Sequence, residues 1–164
     1  MAQLYRDQFA HYLNTATTTG EETSFTWVRE GIGVDALSFD FNPQIDQFKT
    51  ILDRNASATF KNYQIQSSVS DKRIDSDDEI YDYINGARKG ATAIETQLLE
   101  IDMADAVSSG VYSATKYDVL IVINNFLGED ATISYDIYVK GSPVQGTATI
   151  NAQGVPSFTP SVSA

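Results

Sequence analysis

Tyr112 and Lys116 in "YSATK" stand four residues apart, the spacing at which some dehydrogenases use a lysine to lower the pKa of a tyrosine for proton transfer. That chemistry also needs a parallel sheet and a glycine-rich phosphate turn. The chain has neither a G-x-G-x-x-G nor an alternating strand–helix pattern, so "YSATK" reads as a loop entering a strand. "DSDDE", residues 75–79, offers three close aspartates to a cation. Counted as a calcium loop from Asp75, it has Ile80 where glycine is required and Gly86 where glutamate is required, so it reads as a helix start. His11 is the only histidine, which leaves no second imidazole for zinc and makes any His-based triad depend on one residue near the N-terminus. It reads as a surface or groove histidine. Carboxylate pairs are numerous, but in so acidic a chain they belong to solvated faces. "NAS" at 55–57 is a glycosylation sequon only in a secreted protein. The expectation is therefore no catalytic residue, no cofactor and no metal site.

The elements that would position any site are mostly strands. "SFTWVREGIGV" reads as a strand followed by a turn or bulge at the Gly31/Gly33 pair. In "VDALSFDF", Leu37, Phe39 and Phe41 alternate with Ala36, Ser38, Asp40 and Asn42, the period-2 pattern of a half-buried strand. Tyr63, Ile65 and Val69 alternate in the same way with Asn62, Gln64 and Gln66. Together they read as the two arms of one outsized hairpin. The stretch between them, "NPQIDQFKTILDRNAS", is too long and too apolar for an idle turn. It fits either a short amphipathic helix or a loop docking on a neighbouring chain.

The one helix expected is "SDDEIYDYINGARKG". Ser76 and Glu79 form a capping box, Arg88 and Lys89 complement the C-terminal dipole, Gly90 stops it, and Ile80, Tyr83, Ile84 and Ala87 form the buried stripe. "TAIETQLLEIDM", "KYDVLIVINNF", "TISYDIYVKG", "GTATINA" and "VPSFTP" then read as strands separated by "SSG", "LGED" and "GSPVQG", with the "DVLIVI" strand central because it is apolar on both faces. The fold class expected is mainly β with one helix, a β-sandwich carrying one packed helix and the long hairpin.

At 164 residues the chain fits a single domain, 1–164, with a flexible tail over 157–164. Its 11 basic residues against 22 acidic ones give a net charge of -11, which argues against a protein that grips nucleic acid by neutralising phosphates. With no cysteine, neither a disulfide framework nor a thiolate metal site is available. The N-terminus lacks a signal-peptide apolar core and no run approaches the roughly 20 apolar residues of a membrane span, so a soluble protein with no membrane partner is expected.

Three stretches taken in order carry a resemblance: "FAHYLNT", then "ALSFDFNPQIDQFKTILDRNASATFKNYQ", then "DDEIYDYI" with the closing "ISYDIYVKGSPVQGTATINAQGVPSFTP". In this order they resemble the major tail tube proteins of long-tailed bacteriophages infecting Gram-positive hosts, over nearly the whole chain. The resemblance implies a β-sandwich whose extended strands join those of neighbours into a continuous barrel in a hexameric ring. Rings stack into a tube through loops such as the one between residues 43 and 55. It also implies tape measure, tail-tip and tail terminator proteins as partners, DNA passing through the lumen without specific binding, and a place in the virion tail after synthesis in the host cytoplasm. Many relatives append an immunoglobulin-like domain after a "GVPSFTP"-type ending; the chain stops there, so no C-terminal immunoglobulin-like domain is expected.

Within that resemblance, alternation places Ser38, Asp40, Asn62 and Gln64 on the lumen face, joined by Glu100 and Asp102, which share their own face with Leu98. Pro43, Ile45, Phe48, Ile51 and Leu52 are the expected ring-stacking residues. Two alternatives stay open: a tube subunit of a phage-derived bacteriocin or injection particle, and a ligand-binding β-sandwich that uses Tyr and Trp as its contact platform.

Overall fold

Consecutive residues of a strand point to opposite faces, so Tyr12 and Leu13, or Leu98 and Leu99, serve two cores on the two sides of one sheet. The computed structural model describes residues 3–4, 6–16, 25–31, 34 and 37–161. A 3-10 turn, Arg6–Gln8, leads into β1 (Phe9–Asn14), followed by β2 (Trp27–Arg29), β3 (Phe39–Asp40), β4 (Pro43–Phe48), β5 (Ser57–Tyr63) and β6 (Gln66–Arg73). Helix α1 (Glu79–Gly90) precedes β7 (Ile94–Ser108), β8 (Val111–Leu127), β9 (Thr132–Ile150) and β10 (Pro156–Pro160). The chain is mainly β with, among the described residues, one α-helix, and its sheets are antiparallel.

The main sheet runs β2-β1-β7-β8-β9-β6-β3, with β10 added to the far half of β9, and β4 and β5 form a separate ribbon. One core packs Leu13, Leu98, Val119, Ile121, Tyr135 and Ile137 against Ile80 and Ile84 of α1. The other gathers Tyr12, Leu99, Ile101, Ala114 and Ala148, with Trp27, Ile150 and Phe158 packed over them. The "DVLIVI" segment is central as expected, lying in β8 between β7 and β9.

The helix differs from expectation at both ends. Its N-cap is Asp78 rather than Ser76, because the Asp78 carboxylate accepts hydrogen bonds from the Ile80 and Tyr81 amides at 3.1 and 3.3 Å. It runs through Gly90 and ends at Ala91, whose left-handed backbone (φ 51) lets the Thr92 amide reach the Ala87 carbonyl at 3.0 Å. The stripe holds, with Ile80, Ile84 and Ala87 buried and Tyr83 half-buried.

Two of the departures among the strands are bulges, one in β9 and one in β6. "GSPVQG" is not a loop between two strands: residues 141–143 stand opposite Tyr117 alone, and β9 continues past them on the same neighbour, the extra length taken up at Gly141 (φ 67). The expected hairpin arms are split, since Phe39 and Asp40 pair with β6 in the main sheet whereas Pro43–Phe48 pair with β5 in the ribbon. The 43–55 stretch thus supplies a strand and a turn, not a helix or an unstructured loop. In β6, Asp71 takes a left-handed backbone (φ 50) at a register shift between Val69 and Lys72, which turns Lys72 inward and Arg73 outward. Ser157–Pro160, the start of the segment expected to be loose, pair with β9. Residues 162–164, like Gly33 and Ala36 of the expected turn and strand, lie outside the described residues.

Candidate functional site

Every residue of β5 is exposed, as are all those of β4 except the half-exposed Gln44, so the ribbon stands off the body of the protein. A two-stranded ribbon without cover is marginal in water, yet this one carries a run of large apolar groups. Ile45 pairs across from Phe60, and Lys61 is the extra residue of a bulge opposite Gln44 and Ile45. In a regular strand Phe60 and Tyr63 would point apart. The bulge brings their rings to 4.8 Å, and Tyr63 meets Phe41 edge-on at 5.5 Å. All four apolar side chains are about half exposed.

At the far end the chain reverses through Thr50–Asp53. The Asp53 amide donates to the Thr50 carbonyl at 3.1 Å, while the Asp53 carboxylate accepts from the Thr50 amide at 3.1 Å and hydroxyl at 2.8 Å. Those bonds, the hydroxyl's first, hold the Asp53 carboxyl below its usual range. The turn therefore has Ile51 and Leu52 at its two corners, 101% and 91% exposed. Corner positions favour Pro, Asp, Asn, Ser or Gly for local reasons, and a β-branched Ile beside Leu answers to none of them. Burying each would be worth about 1.5–3 kcal/mol, which no contact within the chain collects.

At the base of the ribbon lies a cleft of about 790 Å³ between β5 and the bulged segment of β9. Phe41, Phe60, Tyr63, Tyr138 and Pro143 make its apolar lining, and Asn62, Gln64, Gln66 and Ser142 its polar one. Beside it, the Tyr138 hydroxyl donates to Asp136 at 3.3 Å and the Ser68 hydroxyl at 2.7 Å. Hydrogen bonds, from Asn124 first and then Ser68 and Tyr138, hold the Asp136 carboxyl below the usual carboxylate range against the cost of partial burial. Asp136 is thus a fixed negative charge at the rim.

Of the residues expected at a lumen, Ser38 and Asp40 are exposed, and Asp40 points away from the core that Phe39 enters. Asp40 pairs with Gln66, so these two border the same ribbon base where Asn62 and Gln64 line the cleft. Glu100 and Asp102 are not brought to this group. Glu100 is drawn off by its cross-strand partner His11, 2.9 Å from Nε2, in a half-buried stack where His11 lies 5.3 Å from Phe39 and Phe39 lies 6.1 Å from Tyr117. The Asp102 carboxylate accepts the Ala104 amide at 3.0 Å. Of the expected stacking residues, Ile51 and Leu52 form the tip, Ile45 and Phe48 lie along β4 toward it, and Pro43 sits at the base.

The motifs with apparent chemistry resolve differently. Tyr112 and Lys116 both lie in β8, where four residues span about 13 Å, rather than in a loop entering a strand, and the Lys116 ammonium lies 5.6 Å from the Phe158 ring. Asp78 of "DSDDE" caps α1, and among the described residues no group of three His, Asp or Glu side chains could hold a metal ion. A polar cluster that the sequence did not announce is buried under α1. Lys72 Nζ donates to Glu30 at 2.7 Å and lies 3.0 Å from Asp78 Oδ2, an ion pair without hydrogen-bond alignment, while the Tyr135 hydroxyl donates to the other Glu30 oxygen at 3.0 Å. Its closure to solvent makes it a structural tie between β6, residue 30 and the helix N-terminus.

No protein-family model matches the chain, and no curated protein matches it.

Proposed function

We propose that this chain is the structural subunit of a phage tail tube, a β-sandwich-type unit assembling into hexameric rings that stack around a negatively charged lumen conducting DNA. The observation that carries this reading is the ribbon: a paired, hydrogen-bonded arm whose every apolar side chain faces water, ending in a turn built around two aliphatic corners. Such an arm is costly to a monomer and is explained by cover from another copy. A second support lies in β6, whose outer edge beyond Ser67 pairs with no described strand, leaving an edge that a neighbour's strand can close. A third is the charge of -11, which disfavours adhesion of DNA to the subunit.

The experiment is negative-stain microscopy of concentrated protein, alone and seeded with tail-tip complexes. Six-fold rings and stacked tubes are the expected result. Phe48→Asp with Ile51→Asp, both on exposed positions, should leave a folded subunit that closes rings without stacking them. Wild-type protein that stays monomeric and also fails to extend a seeded tube overturns the reading.

A further inference from the structure

The aliphatic tip and the aromatic cleft lie at opposite ends of the same ribbon. With β4 six residues long, they are separated by about 20 Å at the ordinary rise of a strand, so no copy can fill its own cleft. We infer that the Ile51–Leu52 turn of one copy seats in the cleft lined by Phe41, Phe60, Tyr63, Tyr138 and Pro143 of the next. The inference rests on the tube-subunit reading and names the surface that receives the stacking arm.

Charge agrees with shape. Residues 43–63 contain Lys49, Arg54 and Lys61 against Asp46 and Asp53, a net +1 in a chain of -11, which leaves -12 on the remainder. Two of those cations, Lys49 and Arg54, flank the tip, whereas Asp40 and the anionic Asp136 flank the cleft. A second copy is thus the partner whose charge and apolar surface both match. Edge-to-edge pairing of ribbons fits less well, because Pro43 offers no amide and the Lys61 bulge interrupts β5, devices that blunt a strand edge. The tip and the apolar face remain. Since tip and cleft are different surfaces, the contact is head-to-tail and repeats from copy to copy without closing, as stacking along an axis requires.

The chain has no cysteine, so two introduced thiols are the only ones present. Leu52→Cys at the tip and Ser142→Cys in the cleft wall, combined in one chain and treated with a bis-maleimide under assembly conditions, should give a ladder of covalent oligomers. A mixture of the two single variants should give covalent dimers of one of each, and neither single variant alone should crosslink. Tubes without a tip-to-cleft crosslink overturn the inference and leave the tube reading standing. A ladder without rings or tubes upholds the inference and overturns the tube reading, and absence of both overturns both. Crosslinking of Leu52→Cys to itself marks a symmetric tip-to-tip contact and also overturns the inference.

Discussion

Lys72 carries its ammonium group into the core with no exposure to solvent, and two carboxylates, Glu30 and Asp78, meet it there. Buried pairs of this kind are weak evidence for net stability, but removing one partner strands the others in a medium that solvates them poorly. Lys72→Met is therefore expected to lower unfolding stability by about 3–5 kcal/mol. Tyr135→Phe, which removes one hydrogen bond to Glu30, should cost about 1–3 kcal/mol. Denaturant titration of both variants checks the order, and equal losses would show that the ammonium is not the centre of the cluster. A second test at this scale is alkaline pH. Burial first, and the Glu100 charge second, push the Tyr117 phenol up to about 12, whereas an unfolded phenol titrates near 10. Between those values the unfolded chain gives up a proton that the folded chain keeps, so stability present below about pH 10 falls as pH rises toward 12, by about 2–3 kcal/mol. Tyr135, raised by burial and then by Glu30, acts in the same sense. Tyrosinate absorbance from these two should appear together with loss of the β-sheet circular dichroism signal, and Tyr117→Phe should move that transition to higher pH; tyrosinate appearing from Tyr117 in a folded chain would contradict its burial.

Among the elements, β10 is held to β9 at a position where only glycine fits. Gly146 pairs with Pro160, and a Cβ on it would collide with the Thr159 carbonyl oxygen and come within 2.8 Å of the Phe158 ring. A ring can swing aside but a paired backbone oxygen cannot, so Gly146→Ala is expected to push β10 off and expose the core that Phe158 covers, at a cost of about 1–3 kcal/mol. Hydrogen exchange should accelerate at the β9–β10 pairing while amides on the α1 side keep their protection; unchanged exchange there would mean that β10 is not held in this register. Such positions also mark the limit of reading elements from sequence. Alternation found the inward Phe39 and outward Asp40, and the 3.6-residue period found Ile80, Ile84 and Ala87, because local periodicity reports burial directly, but the same alternation put Phe41 and Tyr63 on the apolar faces of their arms, where the split of the hairpin leaves both about half exposed. It could not find the bulges at Lys61 and Asp71, which each add a residue without a composition of its own, and the Gly/Ser/Pro composition at Gly141 read as a loop between two strands rather than as a bulge within one. Yet those bulges turn Lys72 inward, align Phe60 with Tyr63 and build one wall of the cleft, so the sequence named Ile51 and Leu52 of the tip and Asn62 and Gln64 of the cleft, but not the aromatic lining of Phe41, Phe60, Tyr63 and Tyr138. The strand β1 shows a related gap: "FAHYLN" lacks clean alternation because Tyr12 and Leu13 enter cores on both faces.

Over the whole molecule, the charge of -11 is unevenly placed: the ribbon is slightly positive, and the body carries the acidity. In a tube, each ring repeats the pattern, so acidic residues on a lumen surface would meet passing DNA at many points while charges on the outside would be screened over about 8 Å at physiological salt. Ser38 and Asp40 test this division, because both are exposed and Asp40 faces away from the core. Ser38→Lys with Asp40→Lys adds three positive charges and takes the chain from -11 to -8, since the first change contributes one and the second two. Neither side chain buries apolar surface, so stability should stay within about 0.5 kcal/mol of the parent and assembly should proceed. What should change is friction. Each added cation that reaches a phosphate releases a counterion, so retention of double-stranded DNA by variant tubes should be strong at low salt and fall steeply as salt rises, while parent tubes retain none. The measurement is passage or retention of labelled DNA through tubes of both kinds across a salt series. If the variant tubes assemble and retain no more DNA than the parent at low salt, the surface bearing Ser38 and Asp40 does not line the bore; if retention rises but is indifferent to salt, the added contacts are not electrostatic and the acidity serves some purpose other than keeping DNA mobile.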